Sequence, residues 1–330
     1  MKQFLQKKAK LVFLCMLVLL TCTACANPRG RDGKTLADQI IASEETTIDA
    51  SKINYKDISD KKLKKEIKKN IKDGQYTIQP TTFKDSMSKG WFEGLIVWPI
   101  AQIINLISSK TDAGVGIILT TLLIQMLVFV FTRKSQMSAQ RLQEIQPEIQ
   151  KIQNKYKDKT DERSKLQMAQ EMQNLYQKYD VHPLGSMLIT FIQLPIMMGM
   201  YYATMRSVSV VSGSFMGISL AGTPLDGFKA LDIAYIAIYV LMVIFYIVSM
   251  KLPQWLKKWQ DKKDNVKVKK YAQEETNPMA NSMNMSVYFM TAMICVMYIS
   301  WPMAMSFYWL VSSVIRVCQS LILHQVMNKK

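Results

Sequence analysis

The stretch SWPMAMSFYWLVSSVIRVCQSLILHQVM, Ser300 to Met327, is long enough to cross a bilayer and carries Arg316 near its middle. A charge there costs about 2.5 to 3.5 kcal/mol on insertion scales, so such an arginine normally faces protein or a wet cavity and marks a working position. Tyr308, Ser312, Arg316 and Gln319 follow at i, i+4, i+8 and i+11. On a 3.6-residue helix these four share an arc of about 80°. One face of the segment is therefore polar, and the other apolar segments supply candidates for what it meets.

Those segments predict an all-α polytopic membrane protein with five transmembrane helices, at 114–132, 183–206, 231–250, 283–299 and 302–327. Arg133 and Lys134 close the first span and place its end in the cytoplasm, which leaves the N-terminus outside and the C-terminus inside. Thr121, Gln125 and Thr132 share one face of the first span. Taken alone, Gln125 reads equally as helix-to-helix glue. In the second span Ser186, Thr190, Gln193 and Met197 line a face, and Pro195 is a tolerated kink.

Residues 1–25 have a basic start, an apolar run from Leu11 to Leu20, and Thr21-Cys22-Thr23-Ala24-Cys25. This is a secretory signal. Ala24 before Cys25 resembles a bacterial lipoprotein signal and makes Cys25 the expected acylation site, with Cys22 as the alternative acceptor. Residues 26–90 are polar and lysine-rich and are expected to form an extracellular tether with too little apolar content for a core. Within them Ser59 to Lys72 predicts a surface helix with Leu63, Ile67 and Ile71 on one side. Gly33-Lys34-Thr35 mimics the end of a phosphate loop, but Pro28 occupies the first glycine position and no strand precedes it. Residues 91–110 place Phe92, Leu95, Ile96, Ile100, Ile103, Ile104 and Ile107 at helical spacing, with Trp91 and Trp98 as interfacial anchors, as in a helix lying on the outer membrane surface.

Between the first two spans, 133–181 carries two seams, Leu142, Ile145, Ile149, Ile152, Tyr156 and then Met168, Met172, Leu175, Tyr179. Steps of three and four predict a cytoplasmic helical hairpin. It reads both as a self-packed unit and as a docking arm. Residues 251–281 form a basic cytoplasmic loop, and eight methionines fall between Met279 and Met305. Such flexible thioethers suit ordinary packing and also a surface that accepts varied apolar partners.

Composition narrows the classes further. The net charge of +17 lies mostly in lysines flanking apolar segments, with no arginine clusters interleaved with aromatics, which argues against nucleic acid as a partner. Five cysteines, three of them in the signal segment, do not support a disulfide framework. His182 beside Pro183, with one other histidine in the chain and no acidic cluster, does not make a metal site.

Several stretches together resemble the YidC family of membrane protein insertases, part of the Oxa superfamily. Ile145-Gln146-Pro147-Glu148-Ile149-Gln150-Lys151, followed by Lys155-Tyr156, is similar to the start of that family's cytoplasmic hairpin. His182-Pro183-Leu184 through Ile192-Gln193-Leu194-Pro195-Ile196 to Tyr201 resembles its second span, and Trp301-Pro302-Met303-Ala304-Met305-Ser306-Phe307-Tyr308-Trp309 the entry to its last. The lipoprotein signal and the lack of a large extracytoplasmic domain resemble the Gram-positive form.

The resemblance implies a hydrophilic groove within the bilayer, open to cytoplasm and lipid and closed outside, that holds the polar flank of a client while its apolar segment slides along the lipid-facing helices. It implies no enzyme chemistry and no cofactor. Client membrane proteins and the phospholipid bilayer are the implied partners, with the Sec translocon and the ribosome reached through the hairpin. Expected groove residues are Arg316, Gln125, Gln193, Tyr308, Ser312, Gln319, Thr121 and Thr190. The chain departs from the family at Gln125, which stands where most members carry the single groove arginine, while the charge stands at Arg316 in the last span. The expectation is that Arg316 serves the same cavity from the opposite wall. His182 for the usual asparagine and Ile189 for a usual proline fit a divergent paralogue. Two other readings compete: a membrane assembly scaffold without insertion activity, and a transporter whose Arg316 binds an anionic solute. Transporters usually show internal repeats and paired broken helices, and the sequence has neither.

Overall fold

The computed structural model describes residues 28–157, 159, 161–181, 183–263, 289, 291–293 and 295–328. The signal segment with Cys25, His182 and most of the expected basic loop lie outside these residues. The described chain is mostly helical, and three helices are long and apolar enough to cross a membrane, within Ala113–Leu142, Ile233–Gln260 and Met303–Val326.

Residues 28–90 depart from the expected tether. Strands β1 (Thr35–Leu36) and β3 (Ile53–Asn54) pair in parallel, and β2 (Thr46–Asp49) pairs antiparallel with β4 (Gln75–Ile78). Asp73 and Gly74 both take positive φ just before β4, the conformation that an Asp-Gly turn tolerates and that closes a tight reversal. Helix α1 (Lys61–Asn70) starts at Asp60, whose carboxylate accepts from the Lys62 and Leu63 amides, and it buries Ile67. Ala37, Ile40, Ala42, Ile48, Ile53, Ile58 and Ile78 join Ile67 in a small core. The apolar residues come in short pieces separated by polar ones, and strands, turns and α1 together gather them. Val208 and Val211, from far along the chain, complete the cluster.

Helix α2 (Phe83–Lys89) begins in a capping box between Thr82 and Asp85. A π-helical turn at Glu93–Val97 then leads into α3 (Trp98–Ser108) with a proline in its first turn, so the expected interfacial segment is helical throughout that stretch. Helix α4 (Ala113–Glu144) runs twelve residues past the expected end of its span at Thr132. Nothing from Arg133 to Glu144 breaks a helix, and the break comes at Ile145, just ahead of Pro147. At Gly116 an added Cβ would come within 2.1 Å of Ser108 Oγ and 2.9 Å of the Ile104 carbonyl, so glycine permits the close approach of α4 to α3.

The hairpin helices are α5 (Gln146–Lys155) and α6 (Glu162–Lys178), the second capped by Asp161. Residues of both expected seams meet: Ile145, Ile149, Leu175 and Val181 are buried together, with Leu142, Ile152, Met172 and Tyr179 against them. Helix α7 (Pro183–Arg206) contains Pro195. The following segment, expected as a plain loop, folds into α8 (Val208–Ser212), a two-stranded hairpin of β5 (Ser214–Phe215) and β6 (Ile218–Ser219), and α9 (Pro224–Ala230). Met216 and Gly217 at the tip of that hairpin both have positive φ. Helix α10 (Ile233–Lys263) carries the third expected span well into the region predicted as a basic loop. Residues 289, 291–293 and 295–298, within the fourth expected span, are helical, and α11 (Met303–Asn328) contains the Arg316 stretch.

The chain divides into two compact units. One comprises residues 28–124, 190–242 and 299–312; the other comprises the described residues of 125–189, 243–298 and 313–330.

Candidate functional site

The expected polar positions fall in both units. In the first, α11 contributes Tyr308 and Ser312, each fully buried. The Gln193 side-chain amide of α7 donates to the Tyr308 hydroxyl at 3.1 Å. Thr121 of α4 is also fully buried, and its hydroxyl donates to the Ile117 carbonyl at 2.7 Å. This back-bond satisfies the hydroxyl within its own helix. Thr190 belongs to the same unit, and its side chain lies outside the described residues. The Tyr201 and Trp301 rings lie 4.7 Å apart between centroids. A half-buried amide bonded to a buried phenol is a polar contact between apolar helices, where hydrogen bonds are strong and an unsatisfied group is costly.

In the second unit Gln125 is 7% exposed on α4. Arg316 and Gln319 are half-buried on α11, and Arg316 lies within charge-interaction range of the Tyr246 hydroxyl of α10. The sequence pattern did not single out Tyr246, because a tyrosine in an apolar run carries no periodic signal. Both α4 and α11 are two-faced. Leu123, Met126, Leu127, Val130 and Phe131 are exposed on α4 opposite Thr121 and Gln125, and Leu321 and Ile322 are exposed on α11. In a bilayer such an apolar surface meets lipid chains, and on α4 the buried Thr121 and Gln125 lie on the opposite face.

Two buried polar clusters escaped the sequence reading. In the first unit Arg206 pairs with Glu93, side chains only 3% and 5% exposed, and the guanidinium sits 5.5 Å from the centre of the Tyr202 ring. Beside them Asn105 is a hub: its amide donates to the Ile41 carbonyl at 2.8 Å, while its oxygen accepts from the Ser207 hydroxyl at 2.6 Å and the Ser209 amide at 3.2 Å. The Ile41 amide in turn donates to the Arg206 carbonyl at 2.7 Å. In the second unit His324 Nδ1 lies 3.6 Å from Glu144, and the Gln140 amide donates to the Ser320 carbonyl at 3.3 Å. The available signals were weak: Arg206 and Glu144 stand at helix ends, where a charge ordinarily means solvent.

Among the described residues no group of three or more histidine, cysteine, aspartate or glutamate side chains is arranged to hold a metal.

A model of the 60Kd inner membrane protein family matches residues 105–330. Relatives include membrane protein insertase YidC 1 of Streptococcus pyogenes serotype M6, 30% identical over 72% of this chain and 75% of its own length. Membrane protein insertase YidC 1 of Listeria monocytogenes serotype 4b is 30% identical over 77% of this chain and 78% of its own. Membrane protein insertase MisCA of Bacillus subtilis is 29% identical over 72% and 80%. With a family match across more than half its length and relatives of this name at this identity, the chain belongs to the YidC/Oxa1 family of membrane proteins.

Proposed function

We propose that the protein is a membrane protein insertase and chaperone whose intramembrane polar residues hold the hydrophilic flank of a client while the client's apolar segment enters lipid. The observation that carries this reading is the Gln193 to Tyr308 hydrogen bond beside fully buried Ser312, on an α11 that also exposes Val314, Leu321 and Ile322. A polar surface inside the membrane lowers the cost of moving a client's hydrophilic flank, which otherwise loses its water without replacement. Burial of the client's apolar segment, at about 25 cal/mol per Å², supplies the driving force.

In this proposal Arg316, Gln125, Gln193, Tyr308, Ser312, Gln319, Thr121 and Thr190 line a hydrophilic groove, and Arg316 replaces from the last span the charge that relatives carry in the first. The topology is that of a lipoprotein anchored at Cys25 outside the bacterial cell membrane, multi-pass, with its C-terminus in the cytoplasm. The hairpin α5 and α6 is the surface offered to the Sec translocon or the ribosome.

The test is insertion of a small single-span client into vesicles holding the purified protein. Arg316→Ala is expected to abolish insertion, and Gln125→Arg combined with Arg316→Met to restore it. A wild-type protein that inserts nothing, where the Bacillus subtilis relative does, overturns the insertase reading in favour of a scaffold.

A further inference from the structure

The lysine-rich helix α1 is a feature of the first unit that the insertase reading leaves unused. From Lys61 to Lys72 the chain carries seven lysines and one glutamate, whereas the rest of residues 28–90 carries seven basic and nine acidic residues. Charge is therefore segregated onto one element of the domain. A solvated surface that only keeps a domain soluble mixes both signs.

The fold holds this charge in place. Ten residues are too few for a stable free helix in water, so α1 depends on its cap and on the contact made by Ile67 and Leu63 with the domain core. With those residues inward, Lys61, Lys62, Lys65, Lys68 and Lys69 are all exposed, and none of them makes an ion pair among the described residues. A cationic face offset on its own helix only by Glu66 is a surface suited to an external anion.

The same domain leads directly into an apolar surface. Phe83 and Met87 of α2 are exposed one turn apart, followed by exposed Trp91, Leu95 and Leu106 on the helical segment after it. The Phe83 ring packs edge-on to Trp98 at 5.5 Å, and the Trp98 indole donates to the Thr81 carbonyl at 2.9 Å, so α2 and α3 form one block. Exposed aromatic and aliphatic groups with a tryptophan among them are the composition of a surface seated at the headgroup boundary. For a domain that leads into such a surface, the anion in greatest supply is the phosphate of a lipid headgroup.

We propose that the exposed lysine face of α1 docks on anionic phospholipid headgroups and seats the 28–90 domain on the bilayer. It requires only that the chain is a membrane protein and does not depend on insertion activity. Because exposed charges are screened over about 10 Å at 0.1 M salt, the docking is salt-sensitive.

The experiment is amine-acetylation footprinting of the full chain in nanodiscs of phosphatidylcholine alone or of phosphatidylcholine with phosphatidylglycerol at three to one, read lysine by lysine by mass spectrometry. Exposed Lys165 of α6 serves as the reference. The expected result is labelling of Lys61, Lys65, Lys68 and Lys69 slowed three-fold or more by phosphatidylglycerol, and returned to the phosphatidylcholine rate by 0.5 M sodium chloride. Equal rates in the two lipid mixtures overturn the proposal. Protection by soluble polyphosphate in phosphatidylcholine nanodiscs, without protection by phosphatidylglycerol, also overturns it and assigns the face to a non-lipid anionic polymer. Client insertion measured on the same nanodiscs separates this outcome from failure of the insertase reading.

Discussion

Two small cores lie in segments flanking α4, and they are built in opposite ways. The hairpin of α5 and α6 closes on neighbours in sequence: Ile145 and Ile149 meet Leu175 and Val181 across one turn. The 28–90 domain closes on distant chain. Val208 and Val211 complete its core, Thr35 donates to the Met205 carbonyl at 2.8 Å, and Asn105 ties Ile41 to Ser207. A local core is set by the period of one stretch, whereas a distant one exists only once the helices that carry its other half are in place. The hairpin is therefore expected to survive damage elsewhere in the chain, and the domain is not.

The strongest challenge to that contrast is the Arg206 to Glu93 pair. Removing one member leaves a buried charge without its partner, which typically costs about 3 to 5 kcal/mol. Arg206→Met is expected to lower the thermal midpoint of the detergent-solubilised protein and to open residues 28–90 to protease, with hairpin amide exchange unchanged. Adding Glu93→Gln should recover much of the loss. A hairpin that loosens together with the domain would break the comparison.

Next in size come matched core truncations. Ile67→Ala in α1 and Ile149→Ala in α5 each remove a buried isoleucine, at about 2 to 5 kcal/mol. Ile67→Ala is expected to raise proteolysis of 28–90 alone, and Ile149→Ala to raise exchange in the hairpin alone. The size of each effect measures how independently each core folds.

The smallest expected effect is the pH response of the hairpin. Hydrogen bonds from Lys155 at 2.5 Å and Tyr156 at 2.9 Å hold the Glu171 carboxyl below its ordinary value of 4.5. Its contribution is complete above pH 4.5 and is lost as pH falls through the lowered value. The same bond holds Lys155 above 10.5, so its contribution is present below pH 10.5 and is lost as pH rises through the raised value. The pair is exposed and screened, so hairpin amide exchange should quicken only modestly at either extreme, and Glu171→Gln should remove the acid limb.

The helical parts were legible because helical order is periodic. The seams of 133–181 are spacings of three and four, and three of the expected spans are long apolar runs; both are readable without a partner. The surface helix at Ser59 to Lys72 was legible for the same reason, and it forms as Lys61–Asn70. Helix ends were less so. α4 continues to Glu144 because charged residues between Arg133 and Glu144 are good helix formers, and polarity alone does not end a helix.

The sequence by itself determined membership in a family of membrane proteins and three long apolar helices. These depend on residue type and spacing within a single stretch, where local sterics and hydrophobic burial act before any distant contact forms. Only the tertiary structure decided that residues 28–90 have a core and that Asn105 and the Arg206 to Glu93 pair are buried hubs. Glu93 and Arg206 stand far apart in the chain, and their charges read as solvated until the fold removes the water and leaves each as the other's counter-charge.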